Sequence, residues 1–251
     1  MNKKLIIVGA PQDAINMKNA GPMGISEIEN ISLDQMRVRV DSQDGFDNSI
    51  IMKGLVETSD FMRVILTLNK KLGGGFVSHC AVFRRNGEAP FVLTDSALNI
   101  APDLREKISI TKNAISMARS ILGIKSPVIN FLTPSSKIDA NIKSSTDACV
   151  LENYVAENFP GINTAHNAFD VCFLPNVAKL KGIKNAPRPD IIVADNIDQG
   201  NALWKALTIF GGFSVGGYII GNQKLPPVIL TSRSDTTESK LNSIKEILEN
   251  N

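Results

Sequence analysis

Histidine, cysteine and aromatic residues are scarce in this chain, and each shortage removes a class of chemistry. There are two histidines, His79 and His166, far apart in sequence and in no ligand cluster, so the pattern offers no metal site. The three cysteines, Cys80, Cys149 and Cys172, are odd in number and widely spaced. They give neither a disulfide framework nor a C-x-x-C motif, and buried, reduced thiols in a cytoplasmic protein are expected. No charge of one sign dominates, with 27 basic residues against 25 acidic ones, and the pairs Lys3-Lys4, Lys70-Lys71 and Arg84-Arg85 are isolated. Nucleic-acid binding needs clustered basic charge, so no nucleic-acid partner is expected.

The familiar phosphate-binding fingerprints are also missing. Gly73-Gly74-Gly75 is not followed by Gly-Lys-Ser/Thr, Gly9 stands alone, and no G-x-S-x-G elbow occurs. The opening MNKKLIIVGAPQDA has an apolar stretch of only about six residues, shorter than a secretory signal requires, and reads as a first strand. The uncharged stretch from Ala206 to Gln223 approaches the roughly twenty residues of a membrane helix. Two Gly-Gly pairs interrupt it, so a helix ending near Phe210, a turn at Gly211-Gly212 and a buried strand around Tyr218–Ile220 are expected, with no membrane partner.

What is present is a series of short apolar runs: residues 4–8, 75–83, 90–94, 127–132, 190–194, 216–220 and 227–230. Helical periods separate most of them, as over Leu104–Leu122 and Asn201–Phe210. That alternation predicts an α/β fold with a largely parallel sheet and helices on both faces, in which ligands bind beyond the carboxyl ends of strands. One such end is chemically unusual. The strand Val228-Ile229-Leu230 empties into Thr231-Ser232-Arg233-Ser234-Asp235, and Leu241, Ile244, Ile247 and Leu248 follow at helical spacing behind a capping signal at Asp235 with Glu238 three residues on. Hydroxyls and a guanidinium at a helix entrance suit a phosphate; the same letters also describe a capped surface turn with a solvated arginine.

Four other stretches lie beside predicted strand ends or helix starts: MKGLVETSDFMR (52–63), LTDSALNIAPDL (93–104), AFDVCF (168–173) with KLKGI (179–183), and DNIDQGNALWK (195–205). Thr58 or Ser59 would cap a helix with Arg63 near its beginning, so that Arg63 and Arg233 could share one anion.

Taken with Ser78-His79 and LTSRSDTTESKLNSI (230–244), these stretches resemble the phosphate acetyl/butyryl transferase family, with the strongest likeness to its phosphate butyryltransferase branch. The resemblance runs from about residue 52 to the C-terminus. It implies two α/β/α domains with largely parallel sheets, isocitrate/isopropylmalate dehydrogenase-like, with the active cleft between domains, and a homodimer. Applied to this chain, the domains are 1–70 with 225–251, and 71–224. It also implies interconversion of a short- or branched-chain acyl-CoA plus phosphate with acyl phosphate plus CoA, without metal or bound cofactor and with coenzyme A as a substrate. Ser232, Arg233, Asp235 and Glu238 would be catalytic; Lys53, Thr58, Arg63, Asp170, Asn201 and Lys205 would bind substrate.

Three departures stand beside the likeness. Family members of about three hundred residues carry a further strand and helix ahead of the segment matching KLIIVGA, so the first βα unit is expected to be missing. Thr164-Ala165-His166 stands where the family often reads Asp-Gly-Pro, and Ser239 occupies the column of the base proposed for acetyl-specific members, leaving Glu238 or Asp235 to serve. A non-catalytic homologue that binds CoA or acyl phosphate is therefore the alternative reading. A nicotinamide-dependent dehydrogenase is disfavoured by the absent dinucleotide fingerprint.

Overall fold

The computed structural model describes residues 3–22, 24–184, 186–232 and 235–249. In chain order, the first part contains β1 (Lys3–Val8), α1 (Pro11–Ala20), β2 (Ile25–Ile31), α2 (Leu33–Ser42), β3 (Ser49–Lys53) and α3 (Thr58–Lys71). The middle contains β4 (Ser78–Arg84), β5 (Phe91–Thr94), α4 (Leu104–Ser120), β6 (Ile129–Leu132), α5 (Lys143–Asn158), β7 (Thr164–Asn167), α6 (Phe169–Phe173), α7 (Pro175–Leu180), β8 (Ile191–Val193) and α8 (Ile197–Ile209). The last part contains β9 (Ser214–Ile220), β10 (Val228–Leu230) and α9 (Thr237–Glu249). The chain forms two compact units, one made of residues up to Val77 together with those from Val215 onward, the other Ser78–Ser214.

Each unit is built on the expected mostly parallel sheet. In the first the strand order is β2-β1-β3-β10-β9, parallel except for β9 against β10. In the second it is β4-β5-β8-β6-β7, parallel except for β4 against β5. The central strands read as unbroken apolar runs because both their faces are covered: Leu5–Val8, Ile50–Met52 and Ile191–Val193 are all buried. Helix α3 packs through Phe61, Met62, Val64, Ile65 and Leu68, a stripe at helical spacing that leaves Arg63 and Leu66 toward water.

The stretch 206–223 resolves as a helix, a turn and a strand: α8 ends at Ile209, Gly212 takes the left-handed φ of +67° that a side chain would strain, and β9 starts at Ser214. No helix of the described residues is long and apolar enough to cross a membrane. Cys80 and Cys172 are buried as expected, but Cys149 is exposed. It lies on α5 beside the inward stripe of Ala148, Leu151 and Val155, one residue off the buried face.

Candidate active site

In the first unit, β1, β3 and β10 run parallel and end level with one another, with Val8 opposite Lys53 and Ile229 opposite Met52. The polar residues singled out in the sequence follow directly. Thr231 donates its hydroxyl to the Lys53 carbonyl at 2.6 Å, which locks the exit of β10 onto the exit of β3. Lys53 itself is buried, and its ammonium donates to the Gly54 carbonyl at 3.1 Å. Beyond Thr231, the Ser232 N–H donates to the Asp235 carboxylate at 2.7 Å, and the Asp235 N–H donates to the Ser232 carbonyl at 3.2 Å. Arg233 and Ser234 lie outside the described residues.

Helix α9 is not capped by Asp235 with Glu238. Thr236 caps it, its hydroxyl accepting from the Ser239 N–H at 3.1 Å. Asp235 is turned back onto Ser232 and sits one residue too early, and Glu238 is the second residue of the helix, exposed and one position short of the capping-box partner. The expected cap at Thr58 or Ser59 is corrected in the same way. Glu57 precedes α3 and makes no side-chain cap bond, while Thr58 is the first helical residue and exposed. Arg63 lies in the second turn of α3, with 78% of its side chain exposed, paired with Asp60 at 3.2 Å. Since α3 follows β3 and α9 follows β10, both helix starts lie at the carboxyl ends of neighbouring parallel strands.

In the second unit the corresponding ends are Thr94 of β5 and Val193 of β8, which pair, and Phe131 of β6, which pairs with Val193. The antiparallel β4 brings Ser78-His79 to the same end, because Cys80 pairs with Thr94. Asp95 then gathers four donors: the His79 N–H at 3.0 Å and the Asn99 amide at 2.6 Å on one oxygen, and the N–H groups of Ala97 and Leu98 at 3.0 and 2.9 Å on the other. The His79 ring stacks on Trp204 with centroids 5.1 Å apart, and its Nδ1 meets the Ser96 hydroxyl at 3.2 Å. Burial pushes the His79 pKa down to about 4, against the opposing pull of the Asp95 carboxylate.

Helix α8 is drawn tightly onto this turn. A Cβ on Gly200 would stand 2.5 Å from the Asp95 carbonyl oxygen, so only glycine fits. One residue on, the Asn201 amide donates to the Ser96 carbonyl at 3.2 Å. Lys205 is exposed, its ammonium 5.3 Å from the Trp204 ring centre. Asp170, at the start of α6, is bound to Lys181 at 2.8 Å, which joins the AFD and KGI stretches. That hydrogen bond, foremost, holds the Asp170 carboxyl below its ordinary value. The structure thus brings Asn201 and Lys205 to one cluster and commits Asp170 to a lysine.

Two features escaped the sequence. Trp204 falls inside a quoted motif, but its stacking on His79 joins residues 125 apart, and nothing local signals it. Lys107 is buried with 2% of its side chain exposed, between Asp195 and Asp147, which is 2.7 Å away; Lys143 also binds Asp147. Burial alone would raise the Asp147 carboxyl, but hydrogen bonds from Lys107 and Lys143 hold it below its ordinary value.

The family model described as phosphate acetyl/butaryl transferase matches residues 27–245. The phosphate butyryltransferase of Clostridium acetobutylicum is 35% identical over 203 residues, which cover 78% of this chain and 66% of the relative. The phosphate acetyltransferase of Rickettsia typhi is 30% identical over 204 residues, covering 77% of this chain and 56% of the relative. Among solved structures, a branched-chain phosphotransacylase from Enterococcus faecalis V583 superposes with a TM-score of 0.80 at 24% identity, over 98% of each chain. The chain spans 66% of the length of the Clostridium relative it matches. The matched segment holds the polar turn after β10, the start of α3 and the His79 cluster together, and the chain belongs to the phosphate acetyl/butaryl transferase family.

Proposed function

We propose that the protein is a phosphate acyltransferase, interconverting a short- or branched-chain acyl-CoA plus phosphate with acyl phosphate plus free CoA, as a cytoplasmic homodimer with no bound cofactor. The observation that carries this reading is the polar turn at the end of β10, where Thr231 is tied to β3 and Ser232 is tied twice to Asp235, just ahead of a helix start. Unpaired N–H groups and the helix dipole favour an anion there. The activities named for the relatives support the same chemistry.

In the reaction a phosphate oxygen attacks the thioester carbonyl carbon, the C–S bond breaks, and the sulfur leaves as thiolate and takes up a proton. Arg233 and Arg63 hold the phosphoryl oxygens and Ser232 donates to the developing oxyanion, which lowers the barrier by meeting charge where it forms. In reverse, a carboxylate takes the thiol proton. The bond from Ser232 favours Asp235 over the exposed Glu238 for that task. Lys53 acts through the carbonyl that Thr231 grips, Thr58 lies at the start of the helix bearing Arg63, and Asp170 orients Lys181. Asn201 and Lys205 contact CoA.

The test is breakdown of acyl-CoAs of graded chain length with phosphate, followed by thiol release. Turnover that peaks on butyryl or branched chains supports the reading. CoA binding without turnover would leave the non-catalytic homologue.

A further inference from the structure

We propose that His79 is a positioning residue for CoA, acting through Ser96 and Trp204 on Asn201 and Lys205. The proposal rests on the phosphate acyltransferase reading, in which the reacting phosphate belongs to Ser232, Arg233 and Arg63. That leaves CoA, with its anionic phosphates, as the substrate suited to the exposed Lys205 ammonium and the neighbouring Asn201 amide.

Three segments distant in sequence meet on the His79 side chain. Its main-chain N–H is held by Asp95, its Nδ1 meets the Ser96 hydroxyl at 3.2 Å, and its ring lies within 8° of parallel to the Trp204 indole. Ser96 in turn accepts from Asn201 at its carbonyl, and Trp204 is the residue directly before Lys205. One imidazole therefore sets both the loop that Asn201 reads and the ring beside which Lys205 lies.

A structural role alone does not call for histidine here. The residue is fully buried, and its Nε2 has no hydrogen-bond partner among the described residues. A buried polar atom without a partner costs free energy that a phenylalanine would not incur while keeping the stack on Trp204. What phenylalanine cannot supply is the contact with the Ser96 hydroxyl. The cost is explained if that contact fixes groups used in binding.

The experiment compares His79→Phe, Ser96→Ala and the double variant with the wild type by steady-state kinetics and thermal melting. Both single variants should raise the KM for acyl-CoA on the order of tenfold, the scale of a modest misplacement of binding groups. The KM for phosphate, kcat and, for His79→Phe, the Tm should stay near wild type or, for Tm, rise. The double variant should be no worse than either single one, because both remove the same contact. An unchanged KM for acyl-CoA in the variants overturns the proposal, as does an equal rise in the KM for phosphate, which would mark general loosening. Should His79→Phe fail to fold, Ser96→Ala decides alone by the same readout. No turnover in the wild type would overturn the functional reading and this proposal together, whereas wild-type turnover with an unmoved KM in the variants sinks only the latter.

Discussion

The two units solve one problem in different ways. Each ends its parallel strands in a polar cluster, but the turn after β10 is half exposed and stitched by bonds between residues within a few positions, apart from Thr231. In the second unit, the cluster around Asp95 and the separate ion-pair group around Lys107 are largely buried and joined by contacts between residues far apart: His79 with Asp95 and Ser96 with Asn201 in the first, Lys107 with Asp195 in the second. A short-range, hydrated cluster can hold a ligand anion with little effect on the fold. A buried, long-range one is part of the core, so charge there bears on stability first. Substitutions of charged side chains in the two places should therefore separate, turnover moving with Arg233 in one and stability with Lys107 in the other.

The largest effect should come from Lys107→Met. Removing one partner of a buried charge cluster leaves Asp147 and Asp195 with less compensation, and such losses cost about 3–5 kcal/mol. Urea denaturation should show that loss; a variant as stable as the wild type would mean the cluster is hydrated and the comparison fails. Arg233→Gln should do the reverse, lowering turnover well over tenfold through loss of a transition-state contact to the phosphoryl oxygens, a loss comparable in scale to the about 2.7–4 kcal/mol of an oxyanion-hole donor, while the melting temperature stays put. Unaltered turnover in folded protein would reduce the turn after β10 to a surface cap.

Acid should act on the buried cluster too. The His79 pKa is depressed from 6.5 to about 4 in the folded protein, so the unfolded chain takes up a proton more readily. The stability this gives is complete above pH 6.5 and is lost as pH falls from there through 4, by about 3 kcal/mol at most. Denaturation midpoints measured down that range should fall in the wild type, and His79→Phe should lack that part of the slope. An identical slope in the two proteins would assign the acid limb to carboxylates alone.

How much of this was legible in the sequence follows the same division. Seven strands announced themselves through apolar runs, while β2, β3 and β7 did not. β2 mixes Ser26, Glu27, Glu29 and Asn30 into an edge strand in which Ile31 is buried but Ile25 and Ile28 are only partly covered, β3 has just three consecutive apolar side chains, and β7 reads Thr-Ala-His-Asn. The turn after β10 was readable because its residues are contiguous, although its cap was misassigned by one position: Asp235 and Thr236 are both good capping residues, and only the backbone decides which faces the helix. The His79 cluster was visible as three motifs but not as one object. Ring stacking and the close approach at Gly200 are properties of the folded chain that spacing does not encode.

The smallest expected effect is the most discriminating, because Arg63 sits in the exposed region yet already has a partner. Its pair with Asp60 spans three residues on a helix surface, with 78% of the Arg63 side chain in water, and such pairs contribute under about 1 kcal/mol. Arg63→Ala should therefore leave stability nearly unchanged. If Arg63 binds the phosphoryl group, the same change should raise the KM for phosphate or acyl phosphate, and added salt should raise it in the wild type by screening. Asp60→Asn supplies the contrast, since releasing Arg63 from its partner should leave that KM unchanged or lower it. Combined with Arg233→Gln, Arg63→Ala should be non-additive, because groups acting on one ligand couple, whereas independent residues add within about 0.3–0.5 kcal/mol. Strict additivity, or a KM that rises as much in Asp60→Asn as in Arg63→Ala, would mean that the pair only decorates α3 and that the anion is held without it.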